Sequence, residues 1–306
     1  MTDICKAAES FLEDQNIAFE TDRALSQDST FRIGGKAAIA AFPSNRKQLC
    51  ALIDYCKTER TYFTVIGKGS NVLFADKGFD GVVIFTSKLN GISADGNRVT
   101  AECGVPVTFL SLSAQKKSLS GLEFAYGIPG TVGGAVFMNA GAYGGEIKDV
   151  VVSVDYFDPG SGKTGTLTAG ECRFGYRESV FQHSDMIVLS ATFLLSPGDP
   201  VIIKAAMDDY MARRREKQPL EFPSAGSTFR RYPGYFTAKL IDEAGLKGFS
   251  VGDAQVSEKH AGFVINRGNA TAEDVLSLVD EIKRRIFEMN GINIECEIRY
   301  IPYSVN

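Results

Sequence analysis

A short glycine-containing loop is the first place where this sequence could bind a charged ligand. The apolar residues Val65 and Ile66 lead directly into Gly67-Lys68-Gly69-Ser70-Asn71. Glycines let the backbone approach a phosphate closely, and successive N–H groups can form a concave anion site. The loop is not the dinucleotide-binding fingerprint, because Val72 stands where a third glycine belongs. On these residues alone, an anion site and a plain strand-to-loop turn are equally good interpretations.

A second glycine-rich segment covers residues 127–144 and is otherwise mostly apolar. Its sequence is Gly-Ile-Pro-Gly-Thr-Val-Gly-Gly-Ala-Val-Phe-Met-Asn-Ala-Gly-Ala-Tyr-Gly. Ordering so many glycines costs conformational entropy. Either a ligand approaches this backbone closely or other parts of the chain pack tightly against it. A bound pyrophosphate with a flat ring would explain the segment, and the presence of two such loops favours the ligand.

Three short motifs supply side chains that could act on a substrate. They are Tyr176-Arg177-Glu178-Ser179, Ala225-Gly226-Ser227-Thr228-Phe229 and Glu297-Ile298-Arg299. Arginine binds carboxylates with two parallel hydrogen bonds, and Ser or Glu can transfer protons. Each motif is weak alone, since a single Arg or Glu is usually a solvated surface charge and Ser227 could be an ordinary loop hydroxyl. Glu297 is predicted inside the last strand, where a salt bridge is the default interpretation.

Helices and strands are predicted on both sides of these motifs. The predicted helices are 44–59 with Ser44 as its cap, 105–118, a helix that opens at Asp199-Pro200 and runs to the basic residues 213–217, and a helix from Thr271 to Gly291. An apolar stripe is predicted for the first helix and a capping box for the last; they consist of Leu49, Leu52, Ile53 and Cys56, and of Thr271 and Asp274. The predicted strands are 63–66, 82–85, 99–103, 150–157, 186–195 and 294–301, with a turn over 158–162. This mixture indicates an α+β fold.

Composition excludes several classes of function. The chain has 306 residues and a formal net charge of −4, so nothing suggests nucleic acid or an anionic membrane as a partner. No apolar run approaches the roughly 18–20 residues that span a bilayer. Residues 1–11 lack the basic and then apolar pattern of a secretory signal. We therefore expect a cytoplasmic protein.

The cysteines and histidines do not indicate a metal site. No CxxC pair occurs, and thiols scattered through a chain of this size are expected to be reduced and mostly buried. The cysteines are Cys5, Cys50, Cys56, Cys103, Cys172 and Cys296. The only histidines are His183 and His260, and they show no metal-ligand spacing.

Six motifs in order resemble the UDP-N-acetylenolpyruvoylglucosamine reductase (MurB) family over residues 28–301. They are Ser29-Thr30-Phe31-Arg32-Ile33-Gly34-Gly35, loop 67–71, segment 127–144, Tyr176–Ser179, Pro223–Phe229 and Glu297–Arg299. Any one motif could arise by chance, but six in register are difficult to explain otherwise. The short form of the family is implied, in which an extra tyrosine-bearing loop is missing.

The resemblance implies noncovalent FAD in a vanillyl-alcohol-oxidase/PCMH-type fold, followed by a C-terminal α+β substrate-binding domain. The expected lobes are 1–66, to which the strand 294–301 could return, then 67–200, and the substrate-binding domain 201–306. By match to the family, the cofactor-binding residues are Gly67, Lys68, Gly69, Ser70, Asn71, Gly130, Thr131, Gly133, Gly134, Asn139, Gly141 and Ala142.

The resemblance also implies a reaction. In the family, NADPH reduces the flavin and leaves, and an enolpyruvyl UDP-sugar then receives hydride from flavin N5 to give UDP-N-acetylmuramate. Arg177 would hold the substrate carboxylate, and a protonated Glu297 would help stabilise the negative charge that develops there. Ser227 would donate the proton that completes the reduction.

Substrate-binding positions are implied for Tyr176, Lys217 and His260. Lys217 matches a lysine near the substrate phosphates, although residues 213–217 could instead only complement a helix C-terminus. Arg231 stands where long-form members carry a substrate-contacting asparagine, so the resemblance does not imply that contact for this chain. Pro302 replaces a glycine that commonly follows the last motif. We expect a monomer that binds no nucleic acid.

Two other functions fit the same residues less well. One is another PCMH-type flavin oxidoreductase that acts on a sugar or lactone. The other is a non-enzymatic module that binds nucleotide sugars. The set formed by Arg177, Ser227 and Glu297 favours the reductase.

Overall fold

The computed structural model describes residues 3–231 and 234–304. Its helices are α1 Asp3–Asp14, α2 Arg46–Thr58, α3 Val107–Lys116, α4 Val132–Phe137, α5 Pro200–Lys217, α6 Thr237–Glu243 and α7 Ala272–Asn290. Its strands are β1 Ala18–Ala24, β2 Lys36–Phe42, β3 Phe63–Ile66, β4 Val72–Phe74, β5 Phe79–Phe85, β6 Ile92–Asp95, β7 Arg98–Glu102, β8 Leu119–Ser120, β9 Gly141–Ala142, β10 Gly145–Glu146, β11 Val151–Asp158, β12 Lys163–Thr168, β13 Ile187–Leu194, β14 Ser196–Pro197, β15 Ser250–Val251, β16 Ala254–Val256, β17 Val264–Asn266 and β18 Arg299–Ile301. Helices and strands are mixed along the chain, as the predicted α+β class requires.

The chain divides into two compact units. The first contains Met1–Thr21, Ile39–Lys68 and Gly81–Arg213, and the second contains Asp22–Ala38, Gly69–Asp80 and Arg214–Asn306. The last boundary falls inside α5, and the loop 67–71 passes from the first unit into the second. The three lobes proposed from the sequence stay a prediction.

Helix α2 confirms the predicted apolar stripe but not its predicted cap. The stripe residues Leu49, Leu52, Ile53 and Cys56 are all fully buried. The N-cap is Asn45, whose side chain accepts a hydrogen bond from the amide of Gln48 at 3.0 Å. Ser44 was the wrong choice because its hydroxyl donates instead to the Gln48 side chain at 2.7 Å. Asn and Ser cap helices about equally well, so only their positions relative to the first turn decide.

A five-stranded antiparallel sheet in the first unit has the order β12-β11-β13-β7-β6. The predicted strands 150–157 and 186–195 correspond to β11 and β13, and residues 158–162 form the predicted turn before β12. Asp155 on β11 fixes this sheet. Burial would raise the pKa of its carboxyl, but hydrogen bonds from Ser190, Thr166 and Arg46 outweigh burial and hold the pKa below its usual value.

Helix α7 supports the core of the second unit. Its residues Leu278, Ile282 and Ile286 are fully buried, one helical turn or two apart. Thr271 and Asp274 form the predicted capping box, in which each side chain binds the other residue's backbone amide. Gly291 ends the helix in the left-handed conformation, with a φ of 64°.

The last strand is shorter than predicted. β18 contains only Arg299–Ile301 and pairs in parallel with β4. Residues 294–298 lie outside it and approach a different segment through an isolated bridge between Phe229 and Cys296. Glu297 therefore precedes the strand, and its predicted place inside the strand was wrong. An apolar run alone cannot show that the chain changes its pairing partner.

The described thiols are free, and Cys56, Cys103 and Cys172 are buried, as predicted; Cys5 lies outside the described side chains. Burial raises the pKa of Cys103 to about 12, so this thiol stays protonated. Within residues 3–231 and 234–304, no helix is both long and apolar enough to cross a bilayer.

We predict that Thr271→Ala will lower the free energy of unfolding by about 1 kcal/mol, because the first turn of α7 loses a hydrogen bond. Thr271→Ser keeps an accepting hydroxyl and is the matched control. Urea unfolding of both variants measures the difference. An alanine variant that unfolds at the same urea concentration as the serine variant would show that the cap contributes nothing.

Candidate functional site

The loop 67–71 presents backbone amides that the rest of the chain leaves available. Within the described residues, the amides of Gly67, Lys68, Gly69 and Ser70 donate no hydrogen bond to another residue. Gly69 has a φ of 60°, and a side chain there would collide with the carbonyl of Asp28. Successive available amides around a left-handed residue form the concave donor arrangement that binds anions. This run of available donors is what an anion site at the loop requires.

The glycines near α4 have two different causes. A Cβ on Gly67 would collide with the Thr131 hydroxyl, and a Cβ on Gly133 would lie 3.0 Å from that of Cys103. These two glycines are explained by packing alone. Gly134, in contrast, is exposed, and an added Cβ would meet only the Thr131 hydroxyl at 3.7 Å. Of these three glycines, Gly134 is the one that keeps open space a ligand could use.

A hairpin of β9 and β10 ends the second glycine-rich segment. Tyr143 and Gly144 form its two-residue turn with φ values of 53° and 91°, the conformation that a tight hairpin requires. The ring of Tyr143 stacks on Tyr210 with centroids 4.7 Å apart. Gly141 is packed against Glu146, whose Cγ would lie 2.7 Å from an added Cβ, whereas Gly144 faces open space.

Asn139 is placed differently from the exposed glycines. It is 1% exposed and has a φ of 40°. Its side-chain nitrogen donates to the Glu146 carboxylate at 2.9 Å and to the carbonyl of Gly175 at 2.8 Å. Its side-chain oxygen accepts from the amide of Lys148 at 2.9 Å. The side-chain amide of Asn139 thus makes all three of these hydrogen bonds to other residues of the protein.

Arg177 lies in a tight turn between Gly175 and Glu178. The amides of these two residues donate to each other's carbonyls at 3.0 and 3.3 Å. Arg177 has a φ of 55°, a left-handed conformation that costs a residue with a side chain about 1–2 kcal/mol. Arg177 is half-buried, and its guanidinium carbon lies 5.8 Å from the ring centroid of Tyr176. The turn fixes the backbone of Arg177, and its side chain is partly withdrawn from solvent beside Tyr176.

Thr228 joins the segments that carry Ser227 and Glu297 in the second unit. It is fully buried, with 0% exposure. Its carbonyl accepts from the amide of Glu297 at 2.8 Å, and its amide donates to the carbonyl of Gly262 at 2.8 Å. Its hydroxyl oxygen accepts from the amide of Val264 at 2.9 Å. The structure therefore brings Ser227 and Glu297 to neighbouring backbone positions, whereas Arg177 belongs to the other unit.

The surroundings of Ser227 and Glu297 differ. Ser227 is half-buried and follows Gly226, which has a φ of 80° and open space where a side chain would be. Glu297 is half-buried, and its carbonyl accepts from the side-chain nitrogen of Asn71 at 3.2 Å. The predicted cofactor residue Asn71 is therefore in direct contact with the segment that carries Glu297.

His260 belongs to the same part of the second unit. Its Nδ1 accepts from the amide of Gly262 at 3.1 Å, the residue whose carbonyl binds Thr228. Burial lowers the pKa of His260 below its usual value, against the opposing effect of its backbone hydrogen bond. The imidazole is therefore neutral near pH 7 and carries its proton on Nε2, where it can act as a hydrogen-bond donor.

Lys217 is the last residue of α5 and is exposed. Its neighbour Arg215 already gives its carbonyl to the ammonium of Lys259 at 2.8 Å. No ion pair of Lys217 with another described residue occurs. The ammonium of Lys259 therefore already binds a carbonyl at the C-terminus of α5. This contact favours a role for Lys217 beyond that of a charge at the helix end.

Sequence reasoning missed two residues that organise these motifs. Thr228 stands unremarked between Ser227 and Phe229, and Gln182 follows the Tyr176–Ser179 motif. The side chain of Gln182 donates to the carbonyls of Phe137 at 2.8 Å and Arg177 at 3.0 Å. The residues around Thr228 and Gln182 in the sequence do not predict these contacts, because the groups that they bind are distant in sequence or belong to the backbone.

Known proteins resemble this chain along nearly its whole length. The family described as UDP-N-acetylenolpyruvoylglucosamine reductase, C-terminal domain, matches residues 218–301, and the family described as FAD binding domain matches residues 37–168. The UDP-N-acetylenolpyruvoylglucosamine reductase of Clostridium novyi is 46% identical over 98% of this chain and 96% of its own. That of Levilactobacillus brevis is 47% identical over 92% of each chain.

A solved structure agrees with these relatives. The crystal structure of UDP-N-acetylenolpyruvylglucosamine reductase from Thermus caldophilus superposes with a TM-score of 0.78 at 33% identity, over 94% of this chain and 99% of that one. Together with the FAD binding domain match, it confirms the fold class expected from the sequence.

We predict that Gly134→Ala will weaken FAD binding without destabilising the protein. The chain leaves space for the new methyl group, and alanine favours a helix over glycine by about 1 kcal/mol. Gly133→Ala is the matched comparison, because its methyl group would press on Cys103 and should lower the melting temperature. The readouts are the flavin content after purification and the melting temperature of the flavin-free protein. Unchanged flavin affinity in Gly134→Ala would show that no ligand uses this space.

Proposed function

The chain belongs to the UDP-N-acetylenolpyruvoylglucosamine reductase family, and we propose that it reduces UDP-N-acetylenolpyruvoylglucosamine to UDP-N-acetylmuramate with FAD and NADPH. This reaction is a step of peptidoglycan precursor synthesis. One observation supports the assignment of this reaction to particular residues. The amide of Glu297 donates a 2.8 Å hydrogen bond to the carbonyl of Thr228, the residue after Ser227. This bond joins the backbone segments that carry Ser227 and Glu297, which supports the proposal that the two residues act on the same substrate.

The described residues fit FAD. The available amides of residues 67–70 suit a pyrophosphate, and the open space at Gly134 and Gly144 would be filled by any other residue's side chain. Bound FAD would supply the hydride carrier between NADPH and the substrate. We propose that it is held noncovalently by Gly67, Lys68, Gly69, Ser70, Asn71, Gly130, Thr131, Gly133, Gly134, Gly141 and Ala142.

Arg177 is proposed to hold the substrate carboxylate. Hydride addition to the vinyl carbon moves negative charge onto that carboxylate, which then resembles an enolate. A guanidinium remains charged at every relevant pH and matches a carboxylate with two parallel hydrogen bonds. The turn that carries Arg177 is closed by hydrogen bonds at both ends, so its backbone is fixed before the charge develops, and a preorganised cation is what effective electrostatic stabilisation requires.

Glu297 and Ser227 are proposed to complete the reaction from the second unit. A protonated Glu297 would donate a hydrogen bond to the same carboxylate. Ser227 would deliver a proton to the carbon next to it, which has become basic. A serine hydroxyl is a weak acid, so this step depends on the basicity of the intermediate and on the nearby positive and polar groups.

Three residues are proposed to bind the rest of the substrate. Lys217, exposed at the end of α5, would neutralise the diphosphate. Neutral His260 can donate from Nε2, since its Nδ1 is already an acceptor within the chain. Tyr176, which is 43% exposed beside Arg177, would cover the enolpyruvyl group.

We also propose that the protein acts as a monomer in the cytoplasm, on a soluble nucleotide sugar and without nucleic acid. Sedimentation of the flavin-loaded protein as a single chain would agree with this, and a stable dimer would contradict it.

The proposed function is tested by separating the two half-reactions without oxygen. NADPH should bleach the flavin absorbance, and UDP-N-acetylenolpyruvoylglucosamine should restore it. A flavin that only oxygen reoxidises would identify an oxidase instead. A protein purified without flavin that binds UDP sugars without reducing them would identify a binding module.

We predict that Ser227→Ala will separate these half-reactions. Flavin reduction by NADPH should stay near normal, and reoxidation by substrate should slow by roughly 10²–10⁴-fold, as when a general acid is lost. Ser224→Ala is the matched control, because the contacts of Ser224 with Thr30 use only the Ser224 backbone. Equal slowing of both half-reactions in Ser227→Ala would mean that this serine orders the flavin site.

We predict that Glu297→Gln will slow reoxidation by about 10²-fold, because the amide N–H is a far weaker acid than a protonated carboxyl and gives the developing charge a weaker hydrogen bond. An amide has nearly the same shape but cannot supply an acidic proton, so folding and flavin content should persist. Glu295→Gln is the matched control, since this carboxylate has a side chain 72% exposed and pairs with Arg230 at 3.5 Å. Normal turnover of a folded, flavin-loaded Glu297→Gln protein would remove Glu297 from the mechanism.

A further inference from the structure

We infer that Asn139 is a positioning residue that holds the turn of Arg177, and that its side chain does not bind the cofactor. The resemblance to the reductase family had placed Asn139 among the cofactor-binding residues. The inference rests on the proposed function, because it matters for catalysis only if Arg177 holds the substrate.

The hydrogen-bonding capacity of the Asn139 side chain is largely used within the protein. A primary amide has two N–H donors and one oxygen acceptor. Both donors are assigned, one to Glu146 at 2.9 Å and one to the Gly175 carbonyl at 2.8 Å. The oxygen accepts from the amide of Lys148 at 2.9 Å. With 1% exposure, this side chain has no N–H left to donate to a ligand.

The turn that Asn139 binds needs external support. Arg177 adopts a left-handed conformation that a residue with a long side chain normally avoids, and such conformations persist only where the surroundings determine them. The carbonyl of Gly175 receives both the turn's own bond from Glu178 at 3.3 Å and the shorter bond from Asn139 at 2.8 Å. Asn139 therefore makes the shorter of the two hydrogen bonds to this carbonyl.

The other side of the turn is held from the same short segment. The carbonyl of Phe137 accepts from the hydroxyl of Ser179 at 2.7 Å and from the side chain of Gln182 at 2.8 Å. Gln182 also donates to the carbonyl of Arg177 at 3.0 Å. Residues 137–139, at the end of α4, thus bind the turn before and after Arg177. The position of the arginine relative to the glycine-rich segment is set by these contacts.

The charges near Asn139 make an acidic substitution informative. Glu146 forms an ion pair with Lys148 at 2.7 Å, and its carboxylate lies 2.9 Å from the Asn139 nitrogen. Asn139→Asp has nearly the same size but loses both donors. It would place a second carboxylate against Glu146 and against the carbonyl of Gly175, which should release the turn.

The test compares Asn139→Asp with the parent protein in both half-reactions. Reoxidation of reduced flavin by UDP-N-acetylenolpyruvoylglucosamine should slow by about 10–100-fold, since small displacements of a positioned group have effects of this size. Reduction by NADPH should slow much less. Hydrogen exchange of the backbone amides in residues 174–178 should become faster, while exchange in residues 127–137 stays the same. Asn97→Asp, an exposed position in the same unit, is the control for the change of charge.

A double variant shows whether Asn139 acts through Arg177. In an Arg177→Ala background, Asn139→Asp should slow reoxidation no further, because the group it positions is absent. A multiplicative further loss would overturn the inference. If Arg177→Ala alone leaves reoxidation unchanged, the proposed role of Arg177 fails, and the exchange measurement still reports whether Asn139 holds the turn.

Two other results would overturn the inference. One is normal reoxidation and normal exchange in Asn139→Asp. The other is loss of flavin from Asn139→Asp and also from Asn139→Ala, which adds no charge. That result would mean that the amide maintains the flavin segment itself and not the turn.

Discussion

The buried hydrogen bonds of Thr228 are the constraint on which the arrangement of Ser227 and Glu297 in the second unit depends. A polar residue with no exposure must have its donors and acceptors satisfied, because an unsatisfied buried group costs about 1–3 kcal/mol. The backbone and side chain of Thr228 do this by binding two separate segments, one at Glu297 and the other at Gly262 and Val264. Ser227 is covalently next to this anchor. The backbone of Ser227 is therefore held close to that of Glu297 by backbone geometry, and a site supported in this way keeps its residues in register.

Asparagine side chains play similar parts in the two units. In the first, Asn139 binds the carbonyl of Gly175 beside Arg177, and in the second, Asn71 binds the carbonyl of Glu297. Each asparagine belongs to a glycine-containing segment that was predicted to contact the cofactor. Such bonds connect a glycine-rich backbone to the segments that carry Arg177 and Glu297. A glycine-rich segment on its own could not hold such a position, because glycine restricts the backbone least of all residues.

The glycines themselves separate into two groups that the sequence does not distinguish. Gly67, Gly133 and Gly141 are required by contacts with Thr131, Cys103 and Glu146, whereas Gly134 and Gly144 keep open space. High glycine density was interpreted as a sign of a ligand, but close packing explains part of it. A binding site and a tight protein contact both require a missing Cβ, so they leave the same mark on the sequence.

The sequence by itself determined the elements whose signals are local. The capping box of Thr271 and Asp274, the buried stripe of α2 and the hairpin turn at 158–162 depend on residues a few positions apart, and they form as predicted. The motifs, taken in order, also determined the family. Only the tertiary structure decided that the last strand begins at Arg299, that Asn45 caps α2, and that the side chain of Asn139 points into the protein. These features depend on which distant or competing group each backbone or side-chain atom binds, and residue types and spacing do not specify that choice.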